Sequence, residues 1–213
     1  LRRSSAASDV YKRQHQLSMI SEFKKGNSCL LIAPTGSGKT LSGFLPSLIE
    51  LCELPFENKL KPKLHTLYIS PLKALSVDVQ RNLQIPIIEM ELPILCETRT
   101  SDTTPKKRNR QKVKPPNILL TTPESVELML AWPEAKNYFS NLSTIIIDEI
   151  HSVIGNKRGD LLSLSITSLR NYAPNASFIG LSATVADSGQ LAKWLAPEPN
   201  KVTILKPNIT KKI

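Results

Sequence analysis

Short runs of consecutive apolar residues recur along this chain of 213 residues, most of them followed by a stretch in which apolar positions return every three or four. Runs such as "CLLIA" (Cys29–Ala33) and "TIII" (Thr144–Ile147) do not alternate with polar residues. They therefore predict strands covered on both faces, the habit of parallel sheets packed between helices. The pattern predicts strands over Ser28–Ala33, His65–Ser70, Pro93–Thr98, Asn117–Thr121, Thr144–Asp148, Ser177–Leu181 and Val202–Leu205. It predicts helices over Gln16–Lys24, Lys39–Glu53, Leu72–Leu83, Pro123–Trp132, Gly159–Tyr172 and Asp187–Leu195. Proline in the first turn, with Glu124 beside it, favours the helix at Pro123. Linkers are expected at "LPFENKLKPK" (Leu54–Lys63) and in the basic stretch that ends in Pro115 and Pro116. The fold class that follows is α/β: a three-layer, mostly parallel sheet of about six or seven strands with helices on both faces.

Composition adds three constraints. Cys29, Cys52 and Cys96 are widely spaced in apolar surroundings, which suits buried thiols of a reducing compartment. No apolar run approaches the ~20 residues of a membrane span, and no signal-peptide pattern opens the chain, so a cytoplasmic location and no membrane partner are expected. The formal charge of +10 is concentrated: residues 106–114, "KKRNRQKVK", carry six positive charges and no negative one. That cluster fits either a phosphate-facing patch or a solvated helix or loop. Residues 1–14 hold a further net +3, and "SSAASDVYKRQ" (Ser4–Gln14) resembles one reading frame of a sequencing-library adapter. Residues 1–14 are therefore expected to be non-native, with one domain over residues 15–213.

The chemistry begins at "APTGSGKT" (Ala33–Thr40), which follows the first strand and opens a helix. In such a loop, backbone N–H groups and a helix N-terminus surround phosphates. Thr35, Gly36, Ser37 and Gly38 form the turn, Lys39 suits the β- and γ-phosphates of a triphosphate, and the Thr40 hydroxyl suits Mg²⁺. The run "TIIIDEIH" (Thr144–His151) ends a parallel strand with Asp148 and Glu149, and ligands gather at such ends. Asp148 would share the metal with Thr40, Glu149 would orient or deprotonate a water, and His151 would reach another loop nearby.

These residues resemble superfamily 2 helicases of the DEAD/DEAH-box kind, and within them the large helicase-related (Lhr-type) group. The resemblance runs from about Gln16 to about Pro197. "APTGSGKT" is similar to motif I, "SPLKALSVDVQRNL" (Ser70–Leu83) to motif Ia, "TRTSDT" (Thr98–Thr103) to a phosphate-contacting turn, "TTPESVELML" (Thr121–Leu130) to motif Ib, "DEIH" to motif II and "LSAT" (Leu181–Thr184) to motif III. "DEIH" together with "GNKRG" (Gly155–Gly159) points to the Lhr-type group.

The resemblance implies a RecA-like domain, the first of two, whose second is absent from this sequence. It implies that Gln16 reads the adenine and that Ser182 and Thr184 couple hydrolysis to movement through His151. It also implies a nucleic-acid strand, DNA more than RNA, single or as the tail of a duplex, held by its backbone at Pro71, Leu72, Lys73, Arg99, Thr100, Thr122, Pro123 and Glu124. Trp132 and Trp194 fall in helical patterns and read as core. Other readings are an ATP-gated nucleic-acid-binding module without turnover, an RNA helicase, or a P-loop ATPase of another kind. Glu149 disfavours the pure binder, and motifs Ia, Ib and III disfavour the last.

Overall fold

The computed structural model describes residues 15–54, 63–183, 187–196 and 202–206. Seven strands form one sheet: β1 (Ser28–Ile32), β2 (Thr66–Ile69), β3 (Cys96–Arg99), β4 (Ile118–Thr121), β5 (Thr144–Ile147), β6 (Ser177–Ser182) and β7 (Val202–Leu205). Every pairing is parallel and the order is β3-β4-β2-β5-β6-β1-β7. All carboxyl ends therefore open on one edge. The chain leaves β1 and returns in β2 three positions away, so the loops after β1 and β5 flank a shared crevice.

The side-chain period of two divides each buried run between the faces. Ile145 and Ile147 join Leu67, Ile69 and Leu119 in one apolar layer. Ile146 joins Leu31, Phe44, Tyr68 and Leu120 in the other. Helices cover both layers: α1 (15–24), α2 (Lys39–Glu53), α3 (Lys73–Glu89), α4 (Pro105–Val113), α5 (Pro123–Leu130), α6 (Ala135–Phe139), α7 (Lys157–Tyr172) and α8 (Ser188–Leu195). Cys29 and Cys96 are buried, which pushes their thiols up to about 12. Trp132 and Trp194 are partly buried and pack against the core. Among the described residues no helix is long and apolar enough to cross a membrane.

Three elements depart from the pattern. The basic stretch expected as a linker is helix α4, started by Pro105 and capped by Thr104, whose hydroxyl accepts from the Lys107 N–H at 3.4 Å. It has no apolar stripe; polar bonds dock it, Gln111 being buried and donating to Glu97 at 2.9 Å and to the Thr98 carbonyl at 3.1 Å. Helix α3 runs six residues past the expected stop at Leu83, through Pro86. Helix α6 was not expected; its buried face, Ala135, Tyr138 and Phe139, is too short to show a period. Most of "LPFENKLKPK" (55–62) and residues 1–14 lie outside the described residues.

A 3-10 turn (Ile150–Ser152) links β5 to α7. A Cβ on Gly159, in the first turn of α7, would lie 2.0 Å from the Val153 carbonyl oxygen. Backbone there cannot yield cheaply. Gly159→Ala is expected to cost about 2 kcal/mol, roughly 4–8 °C in a thermal melt of a domain this size; an unchanged melting temperature would contradict this packing.

Candidate functional site

The loop after β1 turns through Gly36 (φ 75°) and Gly38 (φ 81°), the second of which starts α2 from the left-handed region. A side chain at either would be strained, and at Gly38 a Cβ would also meet the Gln16 amide nitrogen at 3.9 Å. Gln16 thus stands beside the loop. Lys39 is only 6% exposed, and its Nζ has no hydrogen-bond partner; the nearest opposite charge is Glu149 Oε1 at 3.7 Å. The Ser37 hydroxyl is likewise buried without a hydrogen-bond partner.

Across the crevice Asp148 is 2% exposed. The Tyr68 hydroxyl donates to its Oδ2 at 2.6 Å, the Glu149 N–H donates to its Oδ1 at 2.8 Å, and Thr40 Oγ1 approaches Oδ2 at 3.5 Å. Burial pushes the Asp148 carboxyl above its ordinary pKa, with the Glu149 charge adding to it; Tyr68, the Glu149 N–H and Lys39 oppose. Burial first, and then the Asp148 charge, raise Tyr68 as well, so it remains a donor.

Glu149 takes a left-handed backbone (φ 49°), a conformation costly for a residue with a side chain. Its carboxylate lies between Lys39 and His151, whose Nε2 is 3.4 Å from Oε2. His151 Nδ1 lies 3.0 Å from Ser182 Oγ and 3.4 Å from the Ala183 nitrogen. A backbone N–H facing Nδ1 leaves the proton of the neutral ring on Nε2, directed at Glu149. Thr184 lies outside the described residues.

A cleft of about 510 Å³ opens between these loops, lined among others by Thr35, Gly36, Gly38, Lys39, Thr40 and Glu149. Its donor set suits a triphosphate: an unsatisfied buried ammonium, an unsatisfied hydroxyl and glycine backbone at a helix start. Thr40 and Asp148 fit Mg²⁺, which takes one or two protein oxygens and completes its shell with phosphate and water.

A second groove, about 380 Å³, lies on the same sheet edge, lined by Pro71, Lys73, Arg99, Thr100, Thr122 and Glu124 together with Arg108 and Arg158. The fold gathers most of the strand-facing candidates here. Leu72 is exposed beside it, capping α3, whereas Pro123 is buried in the first turn of α5. Several polar groups are engaged locally. Lys73 pairs with Asp102 at 3.1 Å. Arg99 donates to the Arg108 carbonyl at 2.9 Å and stacks 4.7 Å over Trp132. Thr100 and Thr122 are buried, and the Thr122 hydroxyl meets Ser125 at 3.2 Å.

Tyr68, Arg108 and Arg158 were missed in the sequence. Arg108 was visible only as one charge of the basic run. Tyr68 carried a faint signal, as the one hydroxyl-bearing ring inside an apolar strand. Tyr68→Phe is expected to raise several-fold the Mg²⁺ concentration needed for half-maximal binding of a fluorescent ATP analogue, leaving Mg²⁺-free binding unchanged. An unaltered Mg²⁺ titration would show that Tyr68 does not hold Asp148 in place.

The family model "DEAD/DEAH box helicase" matches residues 13–191. The chain is 42% identical over 204 residues to an "ATP-dependent helicase Lhr-Core" of Methanocaldococcus jannaschii, covering 91% of this chain and 24% of that protein. It is 41% identical to the "Lhr helicase/uracil glycosylase" of Escherichia coli, covering 86% of this chain and 13% of the relative. The chain therefore spans about a quarter or less of these relatives. Among solved structures, the Mycobacterium smegmatis helicase Lhr bound to ssDNA and AMP-PNP superposes with a TM-score of 0.80 at 39% identity, over 91% of this chain and 25% of that one. The DEAD-box helicase Mss116, at 19% identity and a TM-score of 0.78, shares the RecA-like fold.

Proposed function

The chain belongs to the DEAD/DEAH box helicase family, and we propose that it is the first of two RecA-like motor domains of an ATP-dependent helicase acting on DNA in preference to RNA. The observation that carries this is the convergence of Lys39, Thr40, Asp148 and Glu149 around one cleft at the carboxyl ends of the strands. The ssDNA named in the Mycobacterium smegmatis structure supports DNA as the strand.

Lys39 neutralises phosphate charge, and Gln16, whose amide lies beside Gly38, reads the adenine edge. Thr40 and Asp148 would hold Mg²⁺, which would supply positive charge to the phosphates. Glu149 orients the attacking water and accepts its proton, held by His151 so that its carboxylate cannot swing away. His151 ties that event to β6 through Ser182. The second groove holds the sugar-phosphate backbone of the strand, so binding is weakly sequence-selective and falls with salt. Buried thiols agree with a cytoplasmic location.

A second motor domain, carried by the remaining length of a full protein, would bring arginines to the transferring phosphoryl group. Such arginines are worth roughly 10³-fold or more in rate. This chain alone is accordingly expected to bind ATP weakly, turn over very slowly and unwind nothing. Lys39→Ala is expected to abolish binding of a fluorescent ATP analogue, whereas Glu149→Gln keeps binding and loses the residual turnover measured by phosphate release. Brisk turnover by the chain alone, or nucleotide binding by Lys39→Ala at the wild-type level, would overturn the reading.

A further inference from the structure

We propose that Arg158 is a positioning residue for the strand, locking the loop after β2 and the first turn of α5 to the segment that carries Glu149. This rests on the reading that the second groove binds a nucleic-acid strand. The Arg158 Nε donates to Glu124 Oε1 at 2.8 Å and its Nη2 donates to the Pro71 carbonyl at 2.8 Å. One guanidinium thus joins segments 34 and 87 residues away. Pro71, on the loop after β2, and Glu124, in the first turn of α5, both line the groove. A planar fork with donors at fixed angles holds two such acceptors in one mutual geometry, which a lysine ammonium cannot do.

The other end of the link is the nucleotide cleft. Asn156 accepts from the N–H groups of Arg158 at 3.0 Å and Gly159 at 3.1 Å, and its own amide donates to the Ser152 carbonyl at 2.9 Å. Ser152 ends the 3-10 turn that contains His151, which contacts Glu149. The close approach of Gly159 to Val153 leaves this segment little room to shift. A wound, hydrogen-bonded stretch therefore runs from Glu149 to Arg158.

Charge alone gives a competing account. Glu124 faces a groove meant for phosphates, and a carboxylate there repels them. Arg158 would then act only by cancelling it. The two accounts separate when both charges are removed together, since the pair is neutral before and after.

Binding of a fluorescein-labelled single-stranded DNA to the 213-residue chain, followed by anisotropy at low salt, decides between them, with a thermal melt confirming that each variant is folded. Arg158→Ala is expected to weaken binding roughly tenfold. Arg158→Lys, which keeps the charge but reaches one acceptor, stays weakened. Glu124→Gln alone binds more tightly, because its amide oxygen still accepts from the guanidinium while a negative charge leaves the groove. The double variant R158A/E124Q stays weak. Recovery of wild-type affinity by Arg158→Lys or by the double variant would overturn positioning in favour of charge cancellation. Arg158→Ala binding like wild type, or Glu124→Gln binding as poorly as Arg158→Ala, would overturn it as well. Failure of the wild-type chain to bind the strand at all would remove the parent reading first.

Discussion

A carboxylate that is 2% exposed is tolerated only if its oxygens are satisfied, and Asp148 sets that condition for the rest of the site. Left alone in the sheet's interior it would protonate. The Tyr68 hydroxyl and the Glu149 N–H occupy one oxygen each, and Thr40 stands beside the first. Those neighbours come from three places in the chain, and sheet register brings them together. Ile69 pairs with Ile147 across β2 and β5, which sets Tyr68 next to the end of β5.

The same edge carries two kinds of surface. On one side lie glycine backbone, a buried ammonium and two carboxylates, suited to a compact, highly charged ligand. On the other lies a smaller groove whose basic groups are braced against carbonyls and an indole ring. One segment, from the left-handed Glu149 to the capped start of α7, borders both. Proximity of this kind arises because every strand points the same way, so that all the loops able to bind something emerge together.

Local signals made most of this readable from the residues. Three isoleucines in a row are buried on alternate faces, as an unbroken apolar run requires in a covered sheet. The glycine-lysine-threonine loop and the acidic pair declare themselves by type and spacing. What escaped was held by partners distant in sequence. Helix α4 has no apolar period, and Gln111 and the arginines around it fasten it to β3 by polar bonds. The helix expected to end at Leu83 continues to Glu89, through Pro86. Arg99, expected by resemblance at the strand, lies over Trp132, a contact that only the fold reveals. Arg158 was visible in "GNKRG" without a role, since Pro71 and Glu124 become its neighbours only after folding.

Tyr68 belongs to the hydrophobic layer beneath α2 as much as to the acidic site, its ring stacked on Phe44 with centroids 5.3 Å apart. Ordinary interior positions can drift among hydrocarbons of similar volume over evolutionary time with modest penalty. This one cannot, because a ring lacking oxygen would fill the space and still strand a charge above it. Repacking of the interior is therefore coupled to the buried carboxylate at a position that exposure alone would class as inert.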